Sequence, residues 1–129
     1  LAGAASLRFH RPDSGLGLND KAVATIRAAR KLESKIPLGS IRPANELLSD
    51  RKANEAYLAS DASQFYAVYF PAGGEVQMDV AADKGPWIAH WIDIASGEWG
   101  PIQELNGRDK ITLAPPGKGN WAAAITVHE

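Results

Sequence analysis

The feature that most limits what this chain can fold into is a change of hydrophobic period near residue 55. Upstream, apolar residues recur at three- and four-residue steps. Downstream they alternate or run in short blocks, each closed by turn-forming residues. The blocks fall at 55–60, 64–70, 75–81, 87–93, 98–105, 110–113 and 121–127. Val76, Met78 and Val80 alternate with Glu75, Gln77 and Asp79, and Trp121, Ala123, Ile125 and Val127 take every second position of the last block. Such alternation places one face of a strand in a core and the other in water. Phe65, Tyr66, Val68, Tyr69 and Phe70 are strong strand formers. Between the blocks lie Asp61-Ala62-Ser63, Pro71-Ala72-Gly73-Gly74, a loop at 83–86, Ala95-Ser96-Gly97, Asn106-Gly107-Arg108 and the Pro- and Gly-rich stretch 114–119. These residues supply the backbone angles that tight reversals need. Short strands at nearly even spacing predict a mainly β fold: an antiparallel β-sandwich of about seven short strands.

One α-helix is predicted before the sandwich. From Lys21 to Lys35 there is no Gly or Pro, and Ala22, Val23, Ile26, Ala29, Leu32 and Ile36 form an apolar stripe. Asn19 or Asp20 caps its start, and Pro37 and Gly39 end it. Residues 1–18 read as irregular and 37–54 as a connector, with Pro43, Asn45 and Asp50 as turn-formers and Leu47-Leu48 as an anchor to the core. The expected organisation is an N-terminal segment with a linking helix at 1–36 and a sandwich domain at 37–129. The chain starts without Met, and Leu1-Ala2-Gly3-Ala4-Ala5 is too short, and lacks the charged start, to be an intact signal peptide. A piece of a longer protein, or a processed one, is expected.

Charge and composition exclude several classes. The formal net charge is -1, which gives no reason to expect nucleic acid. No apolar run approaches the roughly 20 residues of a membrane span. With no cysteine, disulfides and thiolate metal sites are ruled out. His10, His90 and His128 have no metal-ligand spacing, so neither a metal nor a cofactor is expected. The charge is nonetheless uneven: ten basic and six acidic residues in 1–60, four and nine in 61–129. The basic half is expected to dock on the acidic half, or each to face a partner of its own.

No catalytic pattern stands out. Asp79, Asp93, Glu98 and Glu104 could in principle pair for glycosidic chemistry, but no recognisable pattern joins them. Asp93 has a better explanation in Asp93-Ile94-Ala95-Ser96-Gly97, where its carboxylate accepts turn amides and Gly97 takes a positive φ. The polar cluster Arg8-Phe9-His10-Arg11-Pro12-Asp13 allows an anion contact or a plain polar surface. The four tryptophans are the more informative residues. Trp121 belongs on the apolar face of its strand. Trp87, Ala89 and Trp91 share one face of theirs and Ile88, His90 and Ile92 the other; the sequence leaves open which is inward. Trp99 lies beside Gly97 and Pro101, where exposure fits. Exposed Trp and Tyr make flat platforms for sugar rings or for proline-rich ligands. Trp87, Trp99 and Tyr66 are therefore the candidate ligand-binding residues, against the alternative that the aromatic rings only fill the core.

The run Phe65-Tyr66-Ala67-Val68-Tyr69-Phe70-Pro71-Ala72-Gly73-Gly74, then Trp91-Ile92-Asp93 with Ser96-Gly97-Glu98, then Pro115-Pro116-Gly117 and Trp121, resembles the family called Putative collagen-binding domain of a collagenase. The resemblance covers roughly 37–128. It departs at Asp93-Ile94, where the family usually has Asp-Pro after the Trp. What it implies is a C-terminal β-sandwich that follows a glycoside-hydrolase-like (β/α)8 barrel in secreted bacterial proteins. The module would be non-catalytic and extracellular or periplasmic. Its partners would be a polysaccharide or collagen-like ligand and a preceding catalytic domain in the same chain. The alternative is a purely structural sandwich that braces such a barrel and binds nothing.

Overall fold

A computed structural model describes residues 20–52, 55–61 and 64–127. Asn19, the cluster at 8–13 with His10, the turn residues Ala62 and Ser63, and His128 lie outside the described residues. Two antiparallel sheets face each other, and one helix covers the outer side of the larger. The helix α1 is Asp20–Glu33. The strands in chain order are β1 Arg42–Pro43, β2 Leu48–Ser49, β3 Tyr57–Ser60, β4 Tyr66–Phe70, β5 Val76–Asp79, β6 Trp87–Asp93, β7 Glu98–Leu105, β8 Lys110–Leu113 and β9 Trp121–Val127. The six-stranded sheet has the order β1-β3-β4-β9-β6-β7 and the three-stranded sheet β2-β5-β8.

The seven expected strands are all present, and the last four match their expected bounds. The first three are shorter because side chains take backbone hydrogens that a ladder would otherwise use. The Asp61 carboxylate accepts from the Gln64 and Phe65 amides at 2.9 and 3.0 Å, so β4 starts only at Tyr66. The Glu55 carboxylate accepts from the Lys52 amide at 3.0 Å, which holds Glu55 in the turn before β3. The connector contains two strands the sequence did not announce. β1 pairs with β3 and β2 with β5, so this segment leaves one sheet and joins the edge of the other. Each is two residues long, too short to show a period. Pro43 is tolerated because it sits on an edge, where no amide hydrogen is required.

The core fills the space between the sheets. Tyr66, Val68 and Phe70 from β4, Trp87 and Trp91 from β6, and Ala123 and Ile125 from β9 meet Val76, Met78, Ile111 and Leu113 from the smaller sheet. Phe70 and Trp91 lie 5.8 Å apart between centroids, and Tyr66 meets Trp87 edge-on at 5.3 Å. Aromatic pairs of this geometry add to the gain from burying their area. The open question about β6 is thereby answered: the Trp87, Ala89, Trp91 face is inward. Trp121 packs on the rim of the same core, as expected.

The opposite face of the large sheet is lined with small residues. Ala59, Ala67 and Ala124 lie under Leu32 and Ile36, and Ala122 and Ile92 lie under Ala28. So flat a surface lets the helix come close, and the face of α1 that fits is Ala22, Ala24, Ala28 and Leu32. This corrects the expected stripe. Val23 is 41% exposed, and Ala24 and Ala28 are buried in its place. The sequence favoured the larger side chains, whereas close packing on an alanine floor selects the smallest. Opposite charges join helix and sheet, as the uneven charge predicted: Glu98 pairs with Arg27 at 3.3 Å and with Lys31 at 3.0 Å.

Candidate ligand-binding face

Three of the four candidate acids have partners of their own. Asp79 faces Lys110 at 3.7 Å on the small sheet. Asp93 holds its own turn, as expected: its carboxylate accepts from the Ala95 amide at 3.0 Å, its carbonyl accepts from the Gly97 amide at 2.8 Å, and Gly97 has φ +73°. Glu98 is committed to the helix, and the hydrogen bond from Lys31 is the main reason its carboxyl titrates below the ordinary value. Among the described residues, no cluster of His, Asp and Glu has the makings of a metal site, and no helix is long and apolar enough to cross a membrane.

Of the three residues expected to contact a ligand, two are withdrawn from solvent. Trp87 and Tyr66 are each 1% exposed and touch each other inside the core. Neither can offer a ring to a polymer, which corrects their assignment as ligand residues. The Tyr66 hydroxyl is also engaged, accepting from the Ala81 amide at 3.1 Å. Burial raises its pKa, with nearby Asp61 and Asp83 adding to the effect. Trp99 differs from both: it is 38% exposed on the outer face of the large sheet.

Trp99 is exposed because of a break in β7. His90 pairs with Ile102 and Ile92 with Trp99, so Gly100 and Pro101 together stand opposite the single residue Trp91. Two residues against one is a β-bulge. In a regular strand, residues 99 and 102 would point to opposite faces. The bulge turns both outward, beside His90 and Ile92. Gly100 is required there, since a side-chain carbon at that position would lie 2.7 Å from the Trp121 ring. The result is an apolar shelf on the edge strand of the sheet: Trp99, and Ile102 at 64% exposure. His90 meets the Trp99 ring edge-on at 6.3 Å, and the Lys35 ammonium lies 6.0 Å from its centroid. Partial burial, and then the Lys35 charge, lower the pKa of His90.

His90 and Lys35, which both meet the Trp99 ring, also line a groove of about 440 Å³ between the end of α1 and the outer face of β6 and β9. Lys35, Phe65, Ile88, His90 and Thr126 are among its walls. The residue pattern alone does not point to Ile102, to Lys35 or to this groove. A signal for Ile102 was present, however, in a Gly-Pro pair inside a strand pattern, which marks a bulge or an edge.

The geometry can be set beside known proteins. The sequence profile of the family Putative collagen-binding domain of a collagenase matches residues 43–127, well over half of the chain. The chain belongs to this family. The match begins at Pro43 in β1 and ends with β9, so it spans all of the strand-forming region save one residue. The collagen-binding family is thus represented here by the sandwich itself. None of the curated proteins matches the chain in sequence. Among solved structures, a protein titled glycoside hydrolase superposes with a TM-score of 0.59 at 10% identity, covering 80% of this chain and 24% of its own. A glycoside hydrolase family 5 protein from Bacteroides vulgatus gives 0.59 at 12% identity with the same coverage. At such identities the likeness is one of fold. The chain spans about a quarter of the length of these structures.

Proposed function

We propose that this domain is a non-catalytic accessory module that holds an extracellular polymer, polysaccharide or collagen-like, for a catalytic domain in the same protein. The observation that carries the reading is the bulge at Gly100-Pro101, which sets Trp99 and Ile102 side by side on an open face. Leaving Ile102 and part of the Trp99 ring in water brings no folding advantage, whereas a platform for a sugar ring or an extended chain needs them there. Membership of a family described as a binding domain supports the reading, as does the likeness to segments of much longer glycoside hydrolases. In this view 37–129 is the binding domain, 1–36 links it to the catalytic one, and the protein works outside the cytoplasm.

The test is retention of the 129-residue chain on insoluble polysaccharides and on collagen fibrils, with Trp99→Ala and Ile102→Ala beside the parent. Retention lost in both variants, at unchanged melting temperature, is expected. Retention unaffected by either change would sink the assignment of this face.

A second reading is a brace that binds nothing. It is favoured by the tight seat of α1, whose Ala24 carbonyl lies 2.7 Å from where a side-chain carbon on Gly97 would be. A helix held so closely would make a stiff joint. Absence of retention on every polymer would favour this reading.

A further inference from the structure

We infer that the groove beside Trp99 selects an anionic polysaccharide, one whose pyranose rings carry carboxylate or sulfate groups. The inference rests on the accessory-binding reading and specifies its ligand. Three observations converge.

First, the charge of the groove runs against that of its surroundings. Residues 61–129 carry nine acidic and four basic side chains, yet among the described residues no carboxylate is part of the groove lining. Among the described lining residues the permanent charge is the Lys35 ammonium. Two acids lie close by but outside the lining: Glu104, which pairs with Ile88 across β6 and β7, and Asp61, whose carboxylate is taken up by the Gln64 and Phe65 amides.

Second, Lys35 is placed differently from Arg27 and Lys31, the α1 cations that reach the sheet. Arg27 and Lys31 are both spent on Glu98. A lysine close to a helix C-terminus is favoured by the helix dipole whatever its function. Lys35, however, has no carboxylate partner among the described residues, and its ammonium sits at the junction of the Trp99 ring and the groove. A cation held there meets whatever rests on the indole.

Third, the remaining walls suit a sugar. Phe65 and Ile88 offer apolar surface, while Ser34, Gln64 and Thr126 offer hydroxyl and amide groups. A pyranose has an apolar face that stacks on indole and a rim of hydroxyls that hydrogen-bond to such side chains. An acidic substituent on that ring would reach the ammonium. Neutral glycans would leave this cation unused.

The experiment measures binding of the 129-residue chain to three soluble polymers: a polyuronate, a sulfated glycan and a neutral glucan. Each is tested at low and at 0.5 M salt, with Lys35→Gln, Lys35→Arg and Trp99→Ala beside the parent. The inference expects binding to at least one anionic polymer, at least tenfold over the glucan. It expects that affinity to fall about tenfold in Lys35→Gln and to be largely retained in Lys35→Arg, and to weaken at high salt, since a charge-assisted contact is at stake. The arms also tell which acid is read. Binding to the glucan as tightly as to either anionic polymer, or a Lys35→Gln affinity equal to the parent's, overturns the anionic inference but leaves a binding module in place. Binding to none of these polymers, nor to collagen, overturns both.

Discussion

Replacing Gly97 by Ala should release the helix from the sheet. Gly97 has φ +73°, and an added Cβ would sit 2.7 Å from the Ala24 carbonyl oxygen and 3.1 Å from the Arg27 Cβ. The first cost is conformational, roughly 1–2 kcal/mol for an L-residue in the left-handed region. The second is steric. The clash is with the backbone, so no side-chain rotation relieves it, and the helix must lift by several tenths of an ångström. A gap of that size forfeits about a quarter to a half of the dispersion energy across an interface. Ala28 and Leu32 are the side chains that would lose contact. Burying a leucine is worth about 1.5–3 kcal/mol, so lifting them loses about 1 kcal/mol. The total is roughly 2–3 kcal/mol. Gly119→Ala is the control. Its φ is +92° and nothing lies within 4 Å, so it carries the conformational cost alone. Urea unfolding of both variants, with hydrogen exchange of the α1 amides, measures the difference. Equal destabilisation by the two substitutions, with α1 protection unchanged, would refute the close seat of the helix.

Trp87→Ala should cost about 3–5 kcal/mol and Trp99→Ala less than about 1 kcal/mol, read from denaturant midpoints, because only the first empties a packed core. Acid should loosen the domain in two steps. His90 titrates below its ordinary 6.5 when folded, so the unfolded chain binds more protons and stability falls as pH drops through that value. Glu98 titrates below its ordinary 4.5 when folded, so its contribution is present above that pH and is lost as pH falls further. Melting curves from pH 8 to 3 should show the first step absent in His90→Gln and the second absent in Glu98→Gln. At the alkaline end, Tyr66 titrates above its ordinary 10.0 when folded, so its contribution is lost as pH rises past that value, and Tyr66→Phe should flatten the decline.

The strand ladder could be read from the sequence because each strand carries its own period and each reversal its own turn chemistry. β6 to β9 needed nothing else. β1 and β2 were hidden because a two-residue strand is defined by its neighbour rather than by its own residues. The stripe on α1 was misplaced for a related reason: what decides the buried face is the alanine floor of a sheet built from residues far along the chain. The site followed the same division. Alternation ties Trp87 to Trp91 but cannot say which face is inward, and nothing local to Tyr66 shows that the core needs its ring. Trp99 stood out through its Gly and Pro neighbours. Ile102 did not, since only the bulge, a property of the pairing with β6, brings it to the same side.

The most direct test of the account follows the four indole N–H signals of the folded chain by nitrogen–proton NMR while a bound polymer is titrated in. Trp91 donates to the Gln103 side chain at 3.0 Å and Trp121 to the Lys118 carbonyl at 3.1 Å, while Trp87 is enclosed. The account predicts that the Trp99 signal shifts with saturation, together with the Ile102 methyls, while Trp87 stays in place. A titration that reaches saturation with Trp99 and Ile102 unmoved would contradict it.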